Sequence, residues 1–390
     1  MSRLRESRLC DIAYICTTTI ERINMKKPFV YGELATKDNF IDRQEDRKRL
    51  KTFLENGINI MLISPRRWGK SSLVKVAMDE LRNEDKNIRT CFIDAFKIHS
   101  ASDFYNAFAS AVISGVGNTL EKGIELVKKY IPSLTPSITL QNDPLNAVSL
   151  DLRFKPLERS AEDILNLPET LAKAHGFHVI VCIDEFQQLA LLPEWKQMEG
   201  FMRSVWQQQE DVTCCLYGSK RHMMVDIFNN ANNPFYRFGQ VFYLKKIARE
   251  YWTPYIIKTF AETGKSISEE FANRICDITE CHSWYVQQLS FFIWSGTQTA
   301  VTEEIFQEQT ILLVDTNAPV FEADVDGLSL SQVNMLIAIA NGENHFSAQD
   351  VNQRYSLGAP QTVSRNKQTL IKKDIIEKDG LSRKKVGLCI

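Results

Sequence analysis

Two short segments combine residue types that bind phosphate and a divalent metal. The first is ISPRRWGKSSLV at residues 63–74. In a phosphate-binding loop the backbone N–H groups wrap a phosphate, and the N-terminus of the next helix faces the anion. Gly69 allows the tight backbone, Lys70 reaches the β- and γ-phosphates, and Ser71 offers a hydroxyl to Mg²⁺. Ser64 replaces the first glycine of the usual G-x-x-x-x-G-K-[ST] pattern, and a Ser-Pro opening makes the same turn if its φ stays negative. The predicted nucleotide-binding residues of this loop are Ser64, Pro65, Arg66, Arg67, Trp68, Gly69, Lys70, Ser71 and Ser72.

The second segment, HVIVCIDEFQQL at residues 178–189, is an apolar run that ends in two carboxylates. In open α/β sheets, ligands bind at the carboxyl ends of the strands. Asp184 is therefore predicted to hold Mg²⁺, and Glu185 to orient and activate an attacking water. A strand that ends in solvated acids is the alternative. The presence of the phosphate-binding loop in the same chain favours the hydrolytic interpretation.

Short apolar runs alternate with amphipathic segments over residues 36–248. This pattern is typical of an α/β fold with a parallel sheet covered by helices on both faces. The predicted strands are residues 58–64, 88–94, 178–184, 212–218 and 240–247. A proline-containing segment at 131–156 is predicted to form a β-hairpin insertion. The extra strand between the two motifs is typical of P-loop ATPases, with a P-loop kinase as the alternative.

The strand pattern ends near residue 248. Residues 249–318 have helical apolar spacing and are predicted to form a helical lid. The acidic segment 315–327, which contains Pro319, predicts a linker. Three helices at 331–340, 348–355 and 362–373, followed by a hairpin, predict a winged helix-turn-helix in a C-terminal domain of residues 319–390. Residues 1–35 are interpreted as an N-terminal extension.

With these residues in place, the chain resembles the archaeal-type AAA+ ATPases, which are related to STAND NTPases, over about residues 38–390. The resemblance is carried by NFIDRQEDRKRLKTFL, by the SPRRWGKSS loop and by IDEFQQL. It is also carried by YGSKRHMM followed by NPFYRF, and by TECHSWYVQQLS in the lid region. It implies a P-loop NTPase core with a lid and a winged helix, and an ATPase that uses ATP and Mg²⁺.

The resemblance also implies roles for individual residues. Phe40, Ile41 and Arg43 match the entry motif on the adenine side, where Asp42 stands in place of a usual glycine. Ser219 matches the polar sensor of the γ-phosphate, with a helix-capping serine as the alternative. Arg237 matches a position that can act as an arginine finger in an assembly, with a structural arginine as the alternative. His282 falls in the lid motif but lacks its flanking Gly and Pro, so a packed core histidine is favoured.

The chain has 47 Lys and Arg against 48 Asp and Glu, so its overall charge gives no argument for nucleic acid or an acidic membrane as a partner. The C-terminal segment differs from this average. The predicted recognition helix carries Arg365, Lys367, Lys372 and Lys373, which either contact DNA phosphates or only complement the helix C-terminus. No apolar run is long enough to span a membrane, and the nine cysteines lack zinc-site spacing, which predicts a cytoplasmic protein.

The sequence therefore predicts an ATP-hydrolysing molecular switch in which turnover moves the lid and the winged helix relative to the core. An ATP-gated DNA-binding protein with little turnover is the first alternative, and a P-loop kinase is the second. The predicted partners are ATP, with DNA, another protein or a second copy of the chain as further candidates, and no membrane.

Overall fold

The computed structural model describes residues 27–35, 40–117, 125, 158–373 and 375–376. Its centre is a five-stranded sheet in the order β2-β3-β4-β1-β5, and all neighbouring strands are parallel. The strands are β1 (Ile60–Ile63), β2 (Ile88–Asp94), β3 (His178–Asp184), β4 (Val212–Gly218) and β5 (Gln240–Tyr243). The predicted parallel α/β core is confirmed. In space, β4 lies between the strand that precedes the phosphate-binding loop and the strand that ends in the acidic pair.

Helices cover both faces of this sheet, which explains why β1 and β4 are buried along their whole length. The core helices are α1 (Gln44–Glu55), α2 (Lys70–Glu84), α3 (Ala101–Val116), α4 (Glu158–His175), α5 (Trp195–Trp206) and α6 (Arg221–Asn229). Helices α1 and α2 bury Leu50, Leu73 and their neighbours against one face. Helices α3 to α6 bury a larger cluster, which includes Phe108 and Trp206, against the other face.

Four helices follow the sheet and form a separate apolar core. They are α7 (Arg249–Glu262), α8 (Glu269–Ile278), α9 (Ser283–Gly296) and α10 (Glu303–Asp326), and together we call them the helical lid. Trp252, Phe260 and Leu289 lie in this core. Phe29 from the N-terminal segment is buried in the same cluster. The lid therefore includes a residue from the opposite end of the chain.

The predicted linker at 315–327 is wrong, because α10 continues through it to Asp326 and contains Pro319. The physical reason is packing on the lid. The amide of the buried Asn317 donates to the carbonyl of Leu313 at 2.7 Å and to Gln288 Oε1 of α9 at 3.2 Å. Phe321 packs against the lid core. These tertiary contacts hold the second half of the helix in place despite the proline, which removes one backbone donor.

The last described helices are α11 (Leu330–Ala340), α12 (Gln349–Tyr355) and α13 (Pro360–Lys372), and we call them the three-helix unit. Their ends agree with the predicted helices to within two residues. They share a small core that includes Met335, Val351 and Leu370. The predicted hairpin after them lies outside the described residues, as do the insertion at 131–156 and residues 1–26. In the part of the chain that the structure describes, no helix is long and apolar enough to cross a membrane.

Candidate nucleotide site

The predicted phosphate-binding loop connects β1 to α2. Gly69 has a φ of 87°, and a Cβ added there would meet no atom within 4 Å, so the glycine borders open space at the N-terminus of α2. The backbone of Ser64 lies outside the left-handed region, as the Ser-Pro opening requires. Its N–H donates to the carbonyl of Gly218 on β4 at 3.2 Å. The replacement of the first glycine is thus compatible with the turn.

Arg43 supports this loop from behind. Its buried guanidinium donates to the carbonyl of Trp68 at 2.8 Å and to the carbonyl of Lys245, just after β5, at 3.0 Å. It also donates to the Asp46 carboxylate at 3.0 Å. Burial lowers the pKa of Arg43, and the attraction of Asp46 opposes this only in part. Arg43 therefore connects the phosphate-binding loop to the end of the sheet by hydrogen bonds. Ile41, another predicted adenine-side residue, packs against the lid core.

The charged residues of the two motifs meet at the carboxyl edge of the sheet. Lys70 Nζ lies 2.5 Å from Glu185 Oε1 and 3.4 Å from Asp184 Oδ1. Ser71 Oγ donates to Asp184 Oδ2 at 2.6 Å. Lys70 is only 8% exposed, so its charge is compensated by these carboxylates rather than by water. The two motifs were predicted from the sequence to act together, and in the structure their side chains are in direct contact.

The two neighbouring carboxyl groups have pKa values that move in opposite directions. Burial raises the pKa of Asp184, and Lys70 and Ser71 offset only part of that rise. Burial also acts to raise the pKa of Glu185, but the Lys70 ammonium and hydrogen bonds from Lys70, Gln187 and Ser219 outweigh it, so that this pKa is lowered. The lowered pKa keeps Glu185 ionised, so both of its oxygens are hydrogen-bond acceptors.

Glu185 is held in an uncommon backbone conformation with φ of 51°. Its Oε2 accepts a hydrogen bond from Ser219 Oγ at 2.7 Å and another from Gln187 Nε2 at 2.6 Å. Ser219 follows β4, so three parts of the sheet edge contribute to one cluster. Sequence reasoning missed Gln187. The pair Gln187 and Gln188 stands out as polar in an apolar stretch, but the sequence does not tell which of the two faces inward.

The lid contacts the phosphate-binding loop directly. The ring of Trp68 packs edge-on against His282, with ring centroids 6.5 Å apart, and Lys246 Nζ lies 5.7 Å from the Trp68 ring. The Arg67 guanidinium lies 4.3 Å from the Trp284 ring. His282 thus occupies the junction between the loop and the lid, where it also packs against Tyr285 at 4.8 Å.

The N-terminal segment 27–35 joins the same junction, although the sequence interpretation placed it in an extension. The N–H of Val30 donates to Gln287 Oε1 of α9 at 3.2 Å. The N–H of Ala35 donates to Ser72 Oγ of α2 at 3.0 Å. Tyr31 packs edge-on against Trp284 at 5.8 Å. Ser72, predicted to bind nucleotide, therefore contacts this segment.

The remaining predicted residues lie at the border of the cluster or outside it. Pro65 is half-buried and Arg66 is exposed in the loop. Arg237 is exposed in the connection between α6 and β5, where its guanidinium lies 5.2 Å from the ring of Tyr236. The structure thus brings Lys70 and Glu185 together and leaves Arg237 on the surface.

The donor set fits ATP with Mg²⁺. Mg²⁺ in such sites takes one or two protein oxygens and completes its octahedron with phosphates and waters. Ser71 Oγ and the Asp184 carboxylate are two such donors, 2.6 Å apart. Among the described residues, no group of three or more His, Cys, Asp or Glu residues could hold a metal ion by itself. Lys70 and the N-terminus of α2 supply the positive end for phosphate.

Two solved structures are similar over nearly the whole chain. The Walker-type ATPase PABY2304 of Pyrococcus abyssi has a TM-score of 0.68 and 17% identity, with 93% of this chain and 99% of that chain covered. The ORC2 protein of Aeropyrum pernix, in ADPNP and ADP complexes, has a TM-score of 0.56 and 13% identity, with 93% and 96% covered. No protein-family model matches the chain, and no curated protein matches it in sequence.

At these identities the likeness establishes the fold. The chain shares the fold of this Walker-type ATPase and of this ORC2 protein, with a parallel α/β core and a helical C-terminal region, in agreement with the fold that the sequence resemblance implied. The predicted fold class is therefore confirmed for these parts.

Proposed function

We propose that the chain binds ATP with Mg²⁺ at the carboxyl edge of the sheet and hydrolyses it. The observation that carries the proposal is the contact between Lys70 and Glu185, with Ser71 and Asp184 bonded beside them. These are the four groups that phosphoryl transfer to water requires: a phosphate-binding cation, two metal ligands and a base. The likeness of the fold to a Walker-type ATPase supports the same activity.

Each residue has a defined task in this reaction. Lys70 and the N–H groups at the start of α2 hold the β- and γ-phosphates. Ser71 and Asp184 hold Mg²⁺, which neutralises charge on the phosphates. Glu185 orients a water molecule and accepts its proton. Ser219 is bonded to Glu185 and is positioned to respond to the γ-phosphate.

A test compares ATP turnover and nucleotide binding in the wild type and in Glu185→Gln. We expect Glu185→Gln to bind ATP like the wild type and to lose turnover by about 10²- to 10⁴-fold, because it removes only the base. Glu194→Gln is the matched control, since Glu194 is exposed at the start of α5, and it should turn over normally. Unchanged turnover in Glu185→Gln would remove Glu185 from this role.

The proposal extends to movement of the lid. In this proposal, phosphate binding rearranges the loop that carries Arg67 and Trp68, and these side chains contact Trp284 and His282 of the lid. Turnover would therefore change the contact between the loop and the lid. We expect ATP to change the tryptophan fluorescence, and we expect Trp284→Phe to reduce that change and to leave the part that Trp68 contributes. Trp206→Phe, in the apolar core, should retain it.

A second candidate function is DNA binding by α13. This helix contains no acidic residue. It follows α12 after a short turn in which Ser356 and Gly358 have φ of 52° and 87°. Its exposed positions carry side chains that donate hydrogen bonds, namely Gln361, Ser364, Arg365, Gln368 and Lys372. This arrangement suits the second helix of a helix-turn-helix in a major groove.

Gel shifts with duplex DNA at two salt concentrations, with and without ATP, test this function. We expect Arg365→Gln to weaken binding and to reduce the salt dependence by about one counterion. Lys196→Gln, an exposed cation on α5, should leave both unchanged. Arg365 is a better probe than Lys373, whose Nζ donates to the carbonyl of Gly327 at 2.9 Å. Binding that is the same in Arg365→Gln would exclude this face of α13.

A further inference from the structure

The two oxygens of Glu185 have different kinds of partner. Oε1 lies 2.5 Å from Lys70 Nζ. Oε2 accepts from Gln187 Nε2 at 2.6 Å, from Ser219 Oγ at 2.7 Å and from the Ser219 N–H at 3.4 Å. One oxygen is thus paired with the residue that must bind phosphate. The other is held by Ser219, which is predicted to sense the γ-phosphate, and by Gln187, which has no part in phosphate binding in the proposed function.

Substrate binding separates these two sets of contacts. When the β- and γ-phosphates attract the Lys70 ammonium, Oε1 loses its ion pair. Gln187 lies in the 3₁₀ turn that begins directly after Glu185 and does not need to move, so Oε2 keeps its hydrogen bond from Gln187. Oε1 is then the oxygen free to accept a hydrogen bond from water.

The environment of Gln187 argues for a specific role. The side chain is fully buried, and its Oε1 has no hydrogen-bond partner among the described residues. An unpaired buried acceptor lowers stability, and an apolar side chain of similar size would avoid this cost. The space for the amide depends on Gly218, because a Cβ at that position would overlap Gln187 Oε1. A glutamine at this position therefore lowers stability, and its hydrogen bond to Glu185 is the reason we infer for its presence.

We propose that Gln187 is a positioning residue that anchors Glu185 Oε2, so that Oε1 faces the attacking water once ATP displaces Lys70. This inference rests on the proposed ATPase activity. In the reaction, the water oxygen forms a bond to the γ-phosphorus. The bond from that phosphorus to the β–γ bridging oxygen breaks, and its electron pair leaves with ADP. The proton of the water passes to Glu185 Oε1.

Gln187→Met tests the inference, because methionine has the same length and no amide donor. We expect kcat to fall by about tenfold or more, which is the effect of losing one hydrogen bond to a charged group. The ATP dissociation constant should stay at the wild-type value, since Gln187 does not contact Lys70 or Ser71 in the structure. Gln188→Met, at the half-buried neighbouring position, should match the wild type in both measurements.

A double-mutant cycle distinguishes positioning from general damage. Because Gln187 acts through Glu185, Gln187→Met should have no further effect on the residual turnover of Glu185→Gln. If Gln187→Met does not fold, Gly218→Ala displaces the Gln187 amide and should show the same loss of kcat and the same non-additivity. A fall of ATP affinity in parallel with kcat, or wild-type kcat in Gln187→Met, would overturn the inference.

The parallel Glu185→Gln measurement separates this outcome from failure of the proposed function. If the wild type does not hydrolyse ATP, or if Glu185→Gln hydrolyses it normally, the proposed function fails and the inference fails with it. If Glu185→Gln is inactive and Gln187→Met is normal, only the inference fails.

Discussion

The candidate nucleotide site and helix α13 differ in the burial of their cations and in the groups that compensate the charges. Lys70 is 8% exposed and lies against two carboxylates, whereas Arg365 and Lys372 are exposed on the surface of α13. In the candidate nucleotide site, removal of the Lys70 charge leaves two buried carboxylates without their cation. On α13 water already solvates the charges, so each contributes little until a polyanion binds.

The largest expected effect is that of Lys70→Ala. We expect ATP affinity to fall by about 100-fold, because a buried cation that binds phosphate is lost and Glu185 and Asp184 remain without it. Lys75→Ala on the same helix is the control, because Lys75 is half-buried, pairs with Asp79 at 3.2 Å and lies 4.8 Å from the Phe92 ring, and the ATP affinity of this variant should stay within about twofold of the wild type. Wild-type affinity in Lys70→Ala, measured by titration of a fluorescent nucleotide, would show that the site is wrongly assigned.

Arg43→Gln tests whether the hydrogen bonds that hold the phosphate-binding loop contribute strongly to the stability of the protein. The substitution leaves the carbonyls of Trp68 and Lys245 and the Asp46 carboxylate without their buried donor. We expect the free energy of unfolding to fall by about 3 kcal/mol. Chemical denaturation measures this. Lys48→Gln, at an exposed position of α1, should be close to the wild type, and an equally small effect in Arg43→Gln would mean that the loop needs no such support.

The acidic pair offers a sharper test, because its two members should affect stability with opposite signs. Burial raises the pKa of Asp184, so the folded state favours its protonated form, and stability is lost as pH rises through the range above the unfolded pKa. Asp184→Asn should therefore stabilise the protein at pH 7 without nucleotide or metal, and this gain should vanish in acid. The same variant should lose Mg²⁺-dependent turnover.

Glu185→Gln should have the opposite effect on stability. The pKa of Glu185 is lowered, because Lys70 and three hydrogen bonds outweigh burial, so its carboxylate stabilises the folded state above the unfolded pKa. The variant should unfold at a lower temperature than the wild type at pH 7, and the difference should shrink as pH falls. Thermal unfolding in EDTA measures both variants. Shifts of the same sign would contradict the assigned partners.

The smallest expected effect is that of Lys372→Gln on α13. Because this cation is exposed, we expect the free energy of unfolding to change by less than about 0.5 kcal/mol. Chemical denaturation measures this against Arg43→Gln. A loss of several kcal/mol would place Lys372 in a packed contact and remove the contrast with the nucleotide site.

Local features of the fold could be predicted from the sequence, whereas features that depend on tertiary packing could not. The strands and the helices of the three-helix unit follow from apolar periodicity, which each segment carries in itself. The roles of residues 27–35 and of α10 were missed. Phe29 is buried by lid residues more than 200 positions later in the chain, and Pro319 is kept helical by contacts of Asn317 and Phe321. Such long-range packing overrides local signals.

The same distinction holds within the site. The motif spacing was sufficient to select Lys70, Ser71, Asp184 and Glu185, because phosphate, metal and water each demand particular side-chain chemistry at a fixed place after a strand. Arg43 was selected for a nucleotide role, but its hydrogen bonds are to Trp68, Lys245 and Asp46. Its partners became evident only when β5 and the loop were brought together.

The sequence by itself determined which groups meet at the edge of the parallel sheet, because a Gly-Lys-Ser loop and an Asp-Glu pair each follow an apolar strand. Only the tertiary structure decided how those groups are held. The choice of Gln187 over Gln188, the space left by Gly218 and the packing of Trp68 on His282 depend on side-chain directions and on contacts between distant segments. A linear pattern of residue types specifies neither the direction of a side chain nor the contacts between segments that are distant in the chain.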